Sequence, residues 1–257
     1  MNSKRRLAAN SVADDNSTKR IAQKKRLTFK EVVDARDLID CFRLRYQQYD
    51  NPEYRLFLNE NIHELDIDAF DLHSRHWAVY SDLNQILGYA RIVHKEENTA
   101  VSMQIQKIIE AYDLNITSDA NPNNYLPILR FQSDSASPTV GQFFERHNKQ
   151  KVVELSRFMI RKGSPLRTSK FMVNAGLGIY RHLLDIDKVV LACNDTHEKF
   201  WSLYGFKNMH KNQTYHIGSL KSVNLFSDLS DIHSSLSIRL ENYAKQYHSK
   251  KEISIEL

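Results

Sequence analysis

Val152-Val153-Glu154-Leu155-Ser156-Arg157-Phe158-Met159-Ile160 reads as a buried strand: nine mostly apolar or β-branched residues, followed by the breakers Gly163 and Pro165. Two charges interrupt it. A charge on a buried strand is costly unless it is paired or hydrogen-bonded, so Glu154 and Arg157 belong either to an ion-pair network or to a reactive site. Simple alternation puts Glu154, Ser156 and Phe158 on one face and Leu155, Arg157 and Met159 on the other.

Outward from this strand the elements are legible. Residues 27–32 alternate like a strand. Asp34 then caps a helix to about Tyr49, with Ala35, Leu38, Phe42 and Tyr49 on one face. A polar stretch carries Asp66, Asp68 and Asp71, and residues 76–80 and 86–93 form a hairpin around a turn at Asp82–Gln85. Residues 95–150 read as an insertion, a helix over 101–112 followed by Asn-, Ser- and Pro-rich sequence, of the kind that covers a site. Beyond the central strand come a helix from Ser169 to about Leu184, a strand at 188–193 and a short helix. Asp195 and Glu198 open that short helix as a capping box, and Gly205 closes it. β-like sequence runs from Phe206 to Ile217, and an amphipathic helix from Ser234 to His248. Gly176 and Gly178, inside a helix, imply close backbone approach. The sum is an α/β (α+β) fold, a mixed sheet with helices on both faces.

The 257 residues suffice for a full core, and no apolar run approaches the ~20 residues that span a bilayer. The net charge of +5 is misleading. Residues 1–26 hold eight cations against Asp14 and Asp15, a net +6, which leaves −1 for the rest. This segment reads as a disordered basic tail, and residues 27–257 as a single domain with its insertion and C-terminal helix. No apolar segment follows the tail, so it is not a secretory signal. Cys41 and Cys193 form neither a disulfide framework nor a metal spacing, and a cytoplasmic protein is expected. Charge alone is non-specific, so nucleic acid is not expected as a partner. His73 and His76 lack the further ligands of a metal site; no metal is expected.

Four segments in order resemble one family. Arg45 is followed four residues on by an aromatic, Tyr49. Asp68-Ala69-Phe70-Asp71 precedes the second strand, Gly88-Tyr89-Ala90-Arg91 lies on the third, and Glu154-Leu155-Ser156-Arg157-Phe158 lies on the central one. Together with the Phe-Trp-x-x-Tyr-Gly-Phe run at 200–206, these resemble GNAT N-acyltransferases of the autoinducer-synthase branch. That branch comprises the acyl-homoserine-lactone synthases, N-acyl amino acid synthases and exosortase-associated acyltransferases. The resemblance spans about residues 27–220 and implies a mostly antiparallel GNAT-like sheet. It also implies an acyltransferase, with no tightly bound cofactor, that moves a fatty acyl group from an acyl-phosphopantetheine thioester to a small-molecule amine, that of an amino acid or a related compound. Val153 stands where lactone synthases often carry Trp, and the insertion is longer than theirs.

The residues suit that chemistry. Glu154 is the candidate general base. Arg45, Arg91 and Arg157 either pair with the aspartates or bind an acceptor carboxylate, with Asp68, Asp71, Ser156 and Phe158 completing the acceptor side. The resemblance places Tyr204 near the donor sulfur as a general acid. The stretch 161–170 has no Gly-x-Gly phosphate cradle but carries Arg161, Lys162, Arg167 and Lys170, which suits acyl carrier protein as donor. The alternatives are a coenzyme A-dependent N-acetyltransferase and a non-catalytic acyl-chain or nucleic-acid binding module.

Overall fold

The computed structural model describes residues 25–95, 99–116, 125–129, 138–209, 214–232 and 234–257. The strands are β1 (Arg26–Val32), β2 (Ser74–Ser81), β3 (Ile86–Val93), β4 (Val152–Ile160), β5 (Lys188–Asn194), β6 (Lys207–Asn208), β7 (Tyr215–Ile217), β8 (Leu220–Asp228) and β9 (Glu252–Glu256). The helices are α1 (Ala35–Tyr49), α2 (Thr99–Ala111), α3 (Pro138–Arg146), α4 (Arg167–His182), α5 (Glu198–Ser202) and α6 (Ser234–Lys250). Of the expected tail, residues 1–24 lie outside the described residues. Arg26 is not tail: it opens β1 and pairs with Glu256.

The strands form one sheet in the order β6-β8-β5-β4-β3-β2-β1-β9, with β7 also on β8. Every pairing is antiparallel except that of β4 with β5. β3 is buried along its whole length, as its apolar run requires. Odd positions of β2 face the core formed with α4 and α6, through Trp77 and Val79. Even positions face α1 and α2, through Ala78 and Tyr80. The described parts of the insertion, residues 125–129 and α3, cap the second face where Phe70, Val93 and Val190 meet Leu126, Ile128 and Phe143. Among the described residues no helix is long and apolar enough to cross a membrane.

Two strands and one helix depart from the sequence reading. β8, in the interior of the sheet, carries buried Ser222, Asn224 and Ser227 among buried Val223 and Leu225, so polar residues break its apolar run. β9 follows α6 and completes the β1 edge. α3 begins at Pro138, a residue suited to a first helical turn. The expected caps also differ. Asp34 occupies the N-cap of α1 without a side-chain bond, and the turn before α5 is capped by Asn194, not by an Asp195–Glu198 box.

The two helical glycines separate. A Cβ on Gly178 would meet the Leu240 carbonyl oxygen of α6 at 2.5 Å, whereas one on Gly176 meets nothing within 4 Å. Gly178→Ala should therefore push α4 from α6 and lose about 1–3 kcal/mol. Gly176→Ala should gain about 0.5–1 kcal/mol of helix stability. Urea denaturation of both variants checks the pair, and equal midpoints would contradict the helix contact.

Candidate functional site

β4 is not a regular strand. Arg91 pairs with Ser156 and Tyr89 with Met159, so Arg157 and Phe158 together oppose Ala90. This is a β-bulge, and Arg157 adopts φ 52°, the left-handed region. The bulge overturns the expected alternation. Phe158 turns to the α4 side with Leu155 and packs edge-on against Trp201 at 5.0 Å, while Met159 joins the α1 side.

Arg157 thereby reaches a buried network of three arginines and three aspartates. Arg45 of α1, fully buried, donates from Nε to Asp66 (3.0 Å) and from Nη1 to Asp71 (2.6 Å). Arg91 of β3 donates from Nη1 to Asp68 (2.5 Å) and Asp71 (2.9 Å), and from Nε to Ser156 Oγ (2.9 Å). Arg157 donates from Nη2 to Asp68 (3.1 Å) and to the Phe57 carbonyl (3.0 Å), and its guanidinium lies 4.6 Å over the Tyr49 ring. The aspartates are set by backbone geometry. Asp68 caps the Ala69–His73 turn by accepting from Phe70 N–H, and Asp71 accepts from Asp68 N–H in return. Three positive and three negative charges cancel. Burial alone would raise the Asp68 and Asp71 carboxyls, but the surrounding guanidinium groups outweigh it and hold both well below the usual range. Asp66, absent from the candidate residues read in sequence, is fully buried here; its signal was the Asp-x-Asp-x-x-Asp spacing.

Where the short β4–β5 pairing ends, at Glu154 and Val190, the strands diverge and a cavity of about 650 Å³ opens. Its polar wall holds Asp68, Arg91, Ser156 and Arg157. Its apolar wall holds Phe158, Phe200 and Trp201. Tyr49, the aromatic of the Arg45 segment, also lines it, as do Tyr54, Phe57, Asn194 and His197, four residues that no local motif marks as site residues. Arg45 and Asp71 stand behind the polar wall. Glu154 and Tyr204 are not among the lining residues. Glu154, 2% exposed, accepts from the Ile128 N–H of the insertion at 2.7 Å, next to Pro127 in the wall. Tyr204 lies in the core with its ring 5.3 Å from Phe200, and burial raises its hydroxyl pKa. Lys162, Arg167 and Lys170 are exposed, and Arg161 Nε donates to the Ile86 carbonyl at 2.7 Å. Ser169, in the first turn of α4, reaches the cavity. Among the described residues no cluster of His, Cys, Asp or Glu is arranged to hold a metal.

His76 supports the network from below. Its Nε2 meets the Asp71 carbonyl at 3.2 Å and its Nδ1 the Tyr89 hydroxyl at 2.7 Å. A carbonyl only accepts, so Nε2 carries the proton and Nδ1 accepts from Tyr89. Burial lowers the imidazole pKa from 6.5 to about 4, with Asp71 opposing and Arg45 assisting. A lowered folded pKa means that the unfolded chain binds the proton first. Stability is therefore full above pH 6.5 and falls as the pH drops through 4, by on the order of 3 kcal/mol from this residue. Below that, protonation of Asp68 and Asp71 removes more. Urea midpoints measured from pH 7.5 to 4 should show this slope, and His76→Gln should flatten it.

No family model matches the sequence, and no curated protein matches it. Solved structures do. The acyl-homoserine-lactone synthase LasI matches at a TM-score of 0.51 and 18% identity, over 85% of this chain and 95% of that one. The coenzyme A-dependent acyl-homoserine-lactone synthase BjaI, determined with S-adenosylmethionine and isopentyl-coenzyme A, matches at 0.51 and 11% identity, over 85% and 90%. The chain thus has the GNAT-like fold in the form taken by the acyl-homoserine-lactone synthases.

Proposed function

We propose that this protein is an N-acyltransferase that moves a fatty acyl group from the phosphopantetheine thioester of an acyl carrier protein to the amine of an amino acid. The observation that carries the reading is the cavity at the β4–β5 divergence, with a guanidinium–carboxylate wall at one side and aromatic walls at the other.

The polar side suits a zwitterion. Among the described residues, Arg91 Nη2 and Arg157 Nη1 make no hydrogen bond, so each has two N–H donors for a carboxylate. Asp68 Oδ2 lies beside them for the ammonium. Because the network is already neutral, a net-neutral acceptor adds no buried charge, which a diamine would. The aromatic side suits the acyl chain. At the donor side, α4 opens with amides that favour an anion. Thr168 Oγ1, fully buried, finds no hydrogen-bond partner among the described residues. With Arg161, Lys162, Arg167 and Lys170 around it, this helix start suits the single phosphate of phosphopantetheine and an acidic carrier.

In the reaction, the acceptor ammonium first loses a proton, relayed past Ser156 to Glu154 behind the cavity wall. The free amine attacks the thioester carbonyl. The resulting oxyanion takes a hydrogen bond from a backbone N–H freed from the β3 ladder by the bulge. Collapse forms the amide and breaks the C–S bond, and the extra proton on the attacking nitrogen passes to the leaving thiolate; Tyr204, in the core beside Phe200, acts on this step only from behind the cavity wall.

Decanoyl-acyl carrier protein with each of the twenty amino acids, followed by mass spectrometry, tests the reading; no acyl-amino acid would remove it. Glu154→Gln should lower turnover about 10²–10⁴-fold. The melting temperature should hold, since the Gln carbonyl still accepts from Ile128 N–H. Charge reversal at Arg167 or Lys170 should weaken carrier affinity and flatten its salt dependence. Equal, insensitive turnover with decanoyl-coenzyme A would reassign the donor.

A further inference from the structure

The contact with α6 accounts for Gly178, but no packing contact requires a glycine at 176, where a Cβ would meet no atom within 4 Å. A glycine inside a helix is destabilising relative to alanine. The space beside Gly176 is an apolar cavity of about 40 Å³ between α4 and the sheet. Met172, Gly176 and Tyr180 recur every fourth residue of α4, so they form one row along its roof with Gly176 in the middle. Trp77, Ala90 and Ile92 line it from the strands.

The lining is aliphatic and aromatic, and the Trp77 indole already donates from Nε1 to the Tyr180 hydroxyl at 3.0 Å. A water needs two to four polar partners, whereas an apolar cavity stays dry and takes apolar ligands. Packed interiors hold few voids larger than a water. One longer side chain at 176 would fill this void and strengthen the helix together, and the sequence does neither. The void also shares a wall with the cavity at the β4–β5 divergence: Leu155, Phe158 and Trp201 line both. Phe158 belongs to that partition because the bulge turns it to the α4 side, edge-on against Trp201.

We propose that this small cavity takes the far end of the acyl chain and that Gly176 sets the longest chain admitted. This rests on the acyl-transfer reading above. The chain passes Phe158 and Trp201, and its terminal methyl stops against Trp77 and Tyr180. A side chain at 176 enters from the roof and excludes carbons from that end, so selectivity shifts toward shorter chains while the polar wall is untouched.

Trp77 and Trp201 are the only two tryptophans of the chain, and both line this cavity. Their fluorescence reports its occupation without turnover. The ligands are the decyl and hexyl thioethers of pantetheine, which cannot transfer an acyl group. In the wild type the decyl thioether should change the emission and bind more tightly than the hexyl one. Gly176→Ala should lower the ratio of decyl to hexyl affinity about fourfold, the worth of one buried methylene, and Gly176→Leu by more than about tenfold. Product lengths from an equimolar mixture of hexanoyl- and decanoyl-acyl carrier protein, read by mass spectrometry, should shift the same way. If Gly176→Leu does not fold, Gly176→Ala decides. A void without function predicts the stability gain of Gly176→Ala with an unchanged affinity ratio. That result, or a decyl ligand that leaves the emission unchanged, overturns the length gate, while acyl-amino acid formed by the wild type leaves the acyl-transfer reading standing. A wild type that forms no acyl-amino acid overturns both.

Discussion

The conformation of β4 depends on Arg157 being held where it is. A non-glycine residue in the left-handed region costs roughly 1 kcal/mol or more, and nothing in the strand itself favours it. The offset comes from outside the strand, from Asp68, the Phe57 carbonyl and the Tyr49 ring. Asp68 is held in turn by Arg91, which shares Asp71 with Arg45. Without the network the bulge would have no reason to sit at 157–158, and a regular β4 would put Phe158 on the polar side of the sheet.

Such a network is a poor source of stability. Six ionised groups leave water, and apolar replacements of similar volume often fold at least as well. What it supplies is position. It ties α1, the segment ahead of β2, β3 and β4 at one point, and its charged donors are planar guanidinium groups that fix direction as well as distance. Two arginine nitrogens also keep a residual donor capacity toward the cavity. A purely structural ion cluster needs no such surplus, and this is the strongest physical ground for treating these residues as more than scaffold.

Much of this was legible in sequence. β3 and β4 stand at the residues expected, because long apolar runs between breakers leave little choice. Arg45 falls on the buried stripe of α1 with Leu38, Phe42 and Tyr49, and an arginine on such a stripe needs a buried acid. The Asp66, Asp68 and Asp71 spacing supplied the candidates. The bulge was not legible: a one-residue shift leaves composition and hydrophobicity untouched while moving Phe158 across the sheet. β8 escaped because polar residues stand at buried positions along it, where Asn224 accepts from the Tyr215 hydroxyl of β7 at 2.5 Å. The glycines of α4 looked alike in sequence, and only the crossing with α6 separates Gly178 from Gly176. The cavity wall from Tyr54 to Phe57 was hidden for another reason: it is assembled by contacts such as that of Phe57 with Arg157, 100 residues apart, and no local pattern encodes it.

Glu154 stands at the junction of these features. It is the last residue of β4 in register with β5, so it marks the point from which the strands separate. On its own face the carboxylate accepts a backbone N–H from the insertion, which brings Pro127 to the cavity wall. One side chain therefore closes the sheet's parallel seam and anchors the cover beside it. The anchoring needs only an acceptor oxygen, which an amide supplies as well as a carboxylate. A carboxylate at this buried position is costly unless its oxygens are hydrogen-bonded, and the Ile128 N–H meets part of that need. The same residue stands directly before Leu155 of the cavity wall, and Ser156, next along β4, accepts from Arg91, so a change at Glu154 acts on the cover, the seam and the polar wall together.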